Sequence, residues 1–217
     1  MFIGHYATCF ALKKVEKKAS LGLLFLAVQL VDILFFPFVL LGIERMNIIE
    51  NYTPSTHFEL EYMPYTHSLL ASFLLAVFIY GVFRLIPSKS KSIALVMGIA
   101  VLSHWFLDLI VHTPDLPLWS DTSIKLGFGL WDHAIATYLL EALLLTGGLW
   151  FYLSATTATS AIGKYGMGIF VIILLLINAV NIFGPPFGES KTSLAISALV
   201  MYFIFAGIAH WLDGKRT

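Results

Sequence analysis

Charge is what this chain has least of. Only 12% of its 217 residues are Asp, Glu, Lys or Arg, about half the share of a typical soluble domain. Acidic and basic residues balance at 13 each, so nothing in the charge points to a nucleic-acid partner. Cysteine is almost missing: Cys9 stands alone, which excludes an internal disulfide and reads as a small buried hydrophobe. A removable leader is not evident either. The apolar run after Lys13, Lys14, Lys17 and Lys18 is too long for a signal core and lacks a small-residue cleavage site.

What is present is hydrocarbon. Apolar residues make up 59% of the chain and the mean hydropathy is +0.86. Six stretches are long enough to cross a bilayer, at 20–43, 66–86, 92–112, 126–153, 165–183 and 192–212. Backbone groups in lipid must satisfy one another, and continuous apolar runs rather than alternating ones do so as helices. The expected fold is therefore all-α: a polytopic membrane protein of six transmembrane helices, one integral membrane domain over 1–217. Residues 1–19 read as an N-terminal amphipathic or re-entrant segment. The connections read as a polar, acidic loop at 44–65, a basic turn at 87–91, a Pro-containing loop at 113–125, a Ser/Thr-rich link at 154–164, and a Gly184-Pro185-Pro186-Phe187-Gly188 turn.

Lys and Arg set the direction. Lys13, Lys14, Lys17, Lys18, Arg84, Lys89, Lys91, Lys164, Lys215 and Arg216 share one side; only Arg45, Lys125 and Lys191 lie on the other. The positive-inside rule then places both termini in the cytoplasm. Trp119 and Trp131 would mark the outer interface, and Trp150, Tyr152 and Trp211 the inner one.

Ionisable side chains inside these runs carry the functional signal, because each costs about 2.5–3.5 kcal/mol at a helix centre. Ser103-His104-Trp105-Phe106-Leu107-Asp108 is followed by His112, and the i, i+4, i+8 spacing lines His104, Asp108 and His112 along one side of a helix. Helical rise puts His104 roughly 20 Å from Lys91 and Asp32 roughly 18 Å into the first run. His67 and His133 open their runs at the outer end, and Glu141 lies two turns below His133. These groups therefore share one half of the bilayer. Imidazole with carboxylate suits zinc, manganese or iron, and a carboxylate-bridged pair acidifies bound water and clamps a phosphoryl oxygen. The same groups suit a metal-free proton relay, so a proton-coupled transporter is the rival reading; a non-catalytic membrane protein with vestigial ligands is a third. His104 with Asp108 also reads as a neutralised pair, and Glu141 as a relay carboxylate. His5 lies in an apolar segment too short to span; folded back as a helix it would reach roughly 12 Å inward from Lys13.

The order His5, Asp32, Thr66-His67-Ser68, His104-x3-Asp108 and His112 resembles a family of small bacterial inner-membrane proteins described as membrane-bound metal-dependent hydrolases, of the LexA-binding inner-membrane type. That family is distantly similar to zinc-dependent phospholipase C and related single-strand nucleases. The resemblance covers the first two-thirds of the chain. It implies His5, Asp32, His67, His104, Asp108 and His112 as ligands of divalent metal, zinc foremost, with His133 and Glu141 as further candidates. It implies Asp32 as the bridging ligand or general base in hydrolysis of phosphoesters, lipid-linked ones included. The chain departs from the pattern late: Thr137 stands where a Glu four residues after His133 is expected, and Met63 where a His is expected.

Overall fold

The computed structural model describes residues 1–88, 90–186 and 190–217. Lys89 of the proposed inner charge set, and Phe187 and Gly188 of the expected turn, lie outside them. The described residues form eight α-helices and two small antiparallel ribbons. In chain order these are α1 (His5–Val15), α2 (Leu21–Val28), α3 (Leu30–Leu40), β1 (Arg45–Thr53), β2 (Thr56–Tyr62), α4 (Leu69–Leu85) and α5 (Lys91–Val111). There follow β3 (Leu116–Pro117), β4 (Lys125–Leu126), α6 (Ala134–Ala155), α7 (Ala161–Phe183) and α8 (Lys191–Asp213).

Serine starts five of the helices. Ser20, Ser68, Ser90, Ser160 and Ser190 each accept a main-chain amide from the third helical residue, at Leu23, Ala71, Ile93, Gly163 and Ser193. Each such cap is worth about 1 kcal/mol, and it fixes where an apolar run becomes helix. Four helices, α5 to α8, are long and apolar enough to cross a membrane, and α2 with α3 makes a fifth if the bent pair is one span. Their outward faces carry Leu143, Trp150, Ile172, Leu176 and Phe203, all exposed. Apolar surface on that scale marks an integral membrane protein.

The structure corrects several sequence expectations. The single run at 20–43 is two helices bent by 48° at Gln29. The run at 66–86 yields a 17-residue helix. The fourth expected run, 126–153, becomes helix (α6) only from Ala134, because Gly129 turns with φ +72° and Leu130–Asp132 form a short 3-10 turn. The fold is mostly helical but not all-α, since the acidic loop at 44–65 is a β-hairpin pairing Met46 with Leu60 and Ile48 with Phe58. Its second strand alternates strictly: Phe58 and Leu60 turn to the protein, while Glu59 and Glu61 turn to Asn47 and Arg45. Trp131 is buried against the His112 ring at 4.1 Å between centroids, and buried Tyr152 donates to Asp213, so neither belongs to an interfacial belt.

The chain from Met1 to Leu12 is built into the centre, while Lys14, Val15, Lys17 and Lys18 are exposed. Ile3, Tyr6, Cys9 and Phe10 are fully buried, and α1 packs against α6, α2 and α5. Gly148 of α6 permits this: a Cβ there would lie 2.8 Å from the Ala7 backbone. Lys13 closes the other end, donating to Asp213 and to the Ala19 carbonyl at 2.7 Å each. The result is to hold His5 at zero exposure beside α5.

Candidate metal centre

Three helices and one loop bring the ionisable groups together. On α5, His104 and Asp108 are one turn apart and His112 follows at the C-terminal cap. The break at Gln29 puts Asp32 in the first turn of α3, and the Val28 carbonyl at the end of α2 accepts from His104 Nδ1 at 2.7 Å. Ser68 caps α4, leaving Thr66 and His67 in the turn just before it. His5 stacks on His104 with 3.9 Å between ring centroids and 6° between planes.

Each of three histidines has its Nδ1 assigned by its partner. The Thr66 hydroxyl spends its one proton on Glu44 Oε2 (2.7 Å), so at 2.8 Å it can only accept from His67 Nδ1. A carbonyl receives His104 Nδ1, and the Asp115 carboxylate receives His112 Nδ1 at 2.8 Å. Neutral rings so held present bare lone pairs at Nε2, the arrangement that orients metal-binding histidines. Those Nε2 atoms all face carboxylate oxygens. His67 Nε2 is 3.2 Å from Asp32 Oδ1; His104 Nε2 is 3.6 Å from the same atom and 3.0 Å from Asp108 Oδ2; His112 Nε2 is 3.6 Å from Asp108 Oδ2. His5 Nε2 lies 3.1 Å from Asp108 Oδ1, which also accepts from the Met1 nitrogen at 2.6 Å.

Lone pair against lone pair at such distances is repulsive unless a cation or proton lies between. Protonating every ring is a poor remedy, because stacked His5 and His104 would then be like charges in contact, although a single proton on His104 would not have that cost. Asp108 has the Met1 nitrogen as an ion-pair partner at 2.6 Å, whereas Asp32, only 17% exposed, has no such partner among the described residues. Taking a carboxylate out of water without compensation costs several kcal/mol. A divalent cation answers both problems, and the donors fit one. His5, His104 and Asp108 offer ligand atoms within 4.8 Å of one another, as do Asp32, His67 and His104. His5 Nδ1 and Nε2 and His104 Nε2 are buried with no well-aligned hydrogen bond among the described residues. Three protein ligands with a further position open is the pattern of a catalytic zinc site. Asp32 supplies the opening: its side chain is 17% exposed, whereas Asp108 is 2% exposed.

Of the residues singled out from sequence, His5, Asp32, His67, His104, Asp108 and His112 converge. His133 and Glu141 do not join either triad. His133 is exposed at the cap of α6, carried outward by the 3-10 turn, and Glu141 Oε2 accepts the Phe2 and Gly4 amides at 3.0 Å each, anchoring the start of α1.

Sequence reasoning missed Tyr202 and Glu44 outright, and it gave no role to Thr66, within the Thr66-His67-Ser68 motif, or to Asp115, three residues after His112. Tyr202 of α8 donates to Asp32 Oδ2 at 3.0 Å, although the last two runs offered no motif. Glu44, Thr66 and Asp115 work at second remove. Glu44 also accepts the Tyr65 and Thr66 amides, and burial pushes its carboxyl above the usual carboxylate range against the opposing pull of these donors. Replacing Thr66 with Val keeps the shape and removes the hydroxyl. Metal affinity is expected to fall about tenfold or more in a competition titration against a fluorescent chelator, and an unchanged affinity would remove Thr66 from the centre.

Above the centre is a cavity of about 330 Å³ with Asp32, His67, Asp108 and His112 on its floor. Compared with known proteins, the chain matches no family model, no curated protein and no solved structure.

Proposed function

We propose that this chain is a membrane-embedded, metal-dependent hydrolase of phosphoesters, with zinc its foremost metal. The observation that carries the reading is the convergence of three imidazole Nε2 atoms, each fixed by a partner on its Nδ1, upon the buried carboxylate of Asp108 and the partly exposed one of Asp32. The resemblance to bacterial membrane-bound metal-dependent hydrolases points the same way. In that frame the bent pair and the 17-residue α4 complete six spans in a bacterial inner membrane, and the cavity lies towards the outer leaflet. The C-terminus and the Lys13 end of α1 are cytoplasmic, while Met1 itself is folded back onto Asp108, which corrects the expectation of a cytoplasmic N-terminus.

His104 Nε2 has one lone pair and would serve one ion, held with His5 and Asp108, while Asp32 and His67 lie beside it and His112 Nε2 faces Asp108 Oδ2. A bound divalent ion supplies Lewis acidity towards a phosphoryl oxygen and acidifies water it coordinates. The chain supplies the rest. Asp32, the acid open to the cavity, orients the attacking water and takes its proton at Oδ1. The Tyr202 hydroxyl holds the other oxygen of Asp32, so the carboxylate keeps its aim as charge moves. Trp131 and Phe35, against His112 and His67, keep bulk water from the imidazoles.

The relay reading uses the same groups and places protons, in place of a metal, between the Nε2 atoms and the acids. Hydrolysis of p-nitrophenyl phosphate and bis(p-nitrophenyl) phosphate by purified protein separates the two. The expected result is hydrolysis abolished by a chelator and restored by stoichiometric zinc or manganese. Proton flux in proteoliposomes with no metal-dependent hydrolysis would favour the relay and sink the proposal.

A further inference from the structure

We propose that the phosphoester taken by this centre is carried on a single hydrocarbon chain, which lies in the cavity between α3, α7, α8 and the β-hairpin and arrives from the bilayer past α8. The inference rests on the hydrolytic reading and names its substrate class. The ionisable groups of the cavity lie at one end, and away from them Asn181 and Ser197 are its polar side chains. Its floor is the His and Asp cluster, and its walls are Phe35 and Phe36 of α3, Ile177 of α7, and Leu194, Ala198 and Met201 of α8. At about 330 Å³ it sits at the low end of small-molecule sites, which suits one chain rather than two.

The α8 wall gives the direction. Leu194, Ala198, Met201 and Tyr202 fall at i, i+4, i+7 and i+8, so they form one stripe on one face. The stripe ends on the Tyr202 hydroxyl, which is bonded to Asp32. A ligand lying along it therefore has its phosphate at Asp32 and its tail towards Leu194, roughly 12 Å away along the helix.

Access follows from the roof. The hairpin covers the cavity with Met46, Phe58 and Leu60. It is clasped on three sides, by Ser55 to Thr137 (3.3 Å), His57 to the Gly184 carbonyl (2.9 Å) and Lys191 to Asn47 (3.3 Å). Ser197 both lines the cavity and is exposed, so the cavity meets the surface on α8, about 9 Å along the helix from Lys191. At that depth the surroundings are lipid. Moving a chain from lipid into an apolar slot is close to neutral, since lipid tails are as apolar as Leu. A soluble phosphoester would have to shed its water to follow the same route and would leave the apolar walls without a partner.

The test uses protein in lipid nanodiscs and dodecylphosphonate, a non-hydrolysable probe, carrying a diazirine at the end of its chain. After irradiation the label is expected on residues 194–202 of α8 or 46–60 of the hairpin. It should fall about tenfold or more in Ala198→Trp, which fills the slot; Met201→Trp serves if that variant does not fold. In parallel, kcat/KM for dodecyl phosphate is expected to exceed that for butyl phosphate by about tenfold or more. Label confined to outward residues such as Ile173 or Leu176 overturns the inference. Equal kcat/KM for the two esters also overturns it and leaves the hydrolase reading intact, the substrate then being a soluble phosphoester. Label in the cavity with no hydrolysis of either ester supports the chain site and removes the hydrolytic reading instead.

Discussion

His104→Ala is expected to lower metal affinity by about a hundredfold or more, the upper end of what loss of even a supporting group does. His104 belongs to both triads, so one substitution leaves neither complete. It also removes the ring on which His5 stacks and frees the Val28 carbonyl at the end of α2. Competition against a chelator of known affinity reads the loss directly, with hydrolysis falling in parallel. His133→Ala is the matched control: that residue is exposed, outside both triads, and should leave affinity where it was. Equal effects from the two variants would mean that the cluster on α5 is not where metal binds.

Gly148→Val is expected to dislodge α1 although Gly148 is no part of the metal centre. The added side chain would meet the Ala7 backbone, which cannot swing aside as a side chain can, with the nearest atoms at 2.8 Å from the new Cβ. Overpacking of this kind costs about 1–3 kcal/mol, or more where backbone is struck. The helix that gives way carries His5, Tyr6, Cys9 and Phe10, so relief comes at the expense of the buried centre. Cys9, the chain's single thiol and fully buried, reports the movement. Its maleimide labelling should be slow in the wild type and about tenfold to a hundredfold faster in the variant, the factor implied by that cost. A thiol equally protected in both would show that α6 and α1 tolerate a wider spacing.

The residues that converge were legible because their spacing is a property of one helix or of depth in a bilayer. His104, Asp108 and His112 repeat every fourth residue, and Asp32 and His67 lie at the level this sets. The hairpin was legible too, in the alternation Phe58-Glu59-Leu60-Glu61-Tyr62, but its acidic residues drew the reading towards a solvated loop. The bend at Gln29 left no such trace: no Pro or Gly marks it, and the Val28 carbonyl it brings to His104 is a tertiary fact. Tyr202 was hidden for a related reason, since a tyrosine within an apolar run is ordinary until the helix carrying it is packed against Asp32. Glu141 shows the converse. Its depth suited a ligand, yet the main-chain amides of Phe2 and Gly4 claim it, and no spacing rule anticipates a partner some 140 residues away.

The account depends on a cation lying between the imidazole Nε2 atoms and the carboxylates of Asp32 and Asp108. Elemental analysis of wild-type protein, purified without added metal or chelator and dialysed against metal-free buffer, addresses that claim most directly. At least one zinc, manganese or iron per chain is the predicted result, lost when His67 and His104 are both replaced by alanine. A folded wild-type protein that holds none of these ions, and takes up none when zinc is supplied, would contradict it.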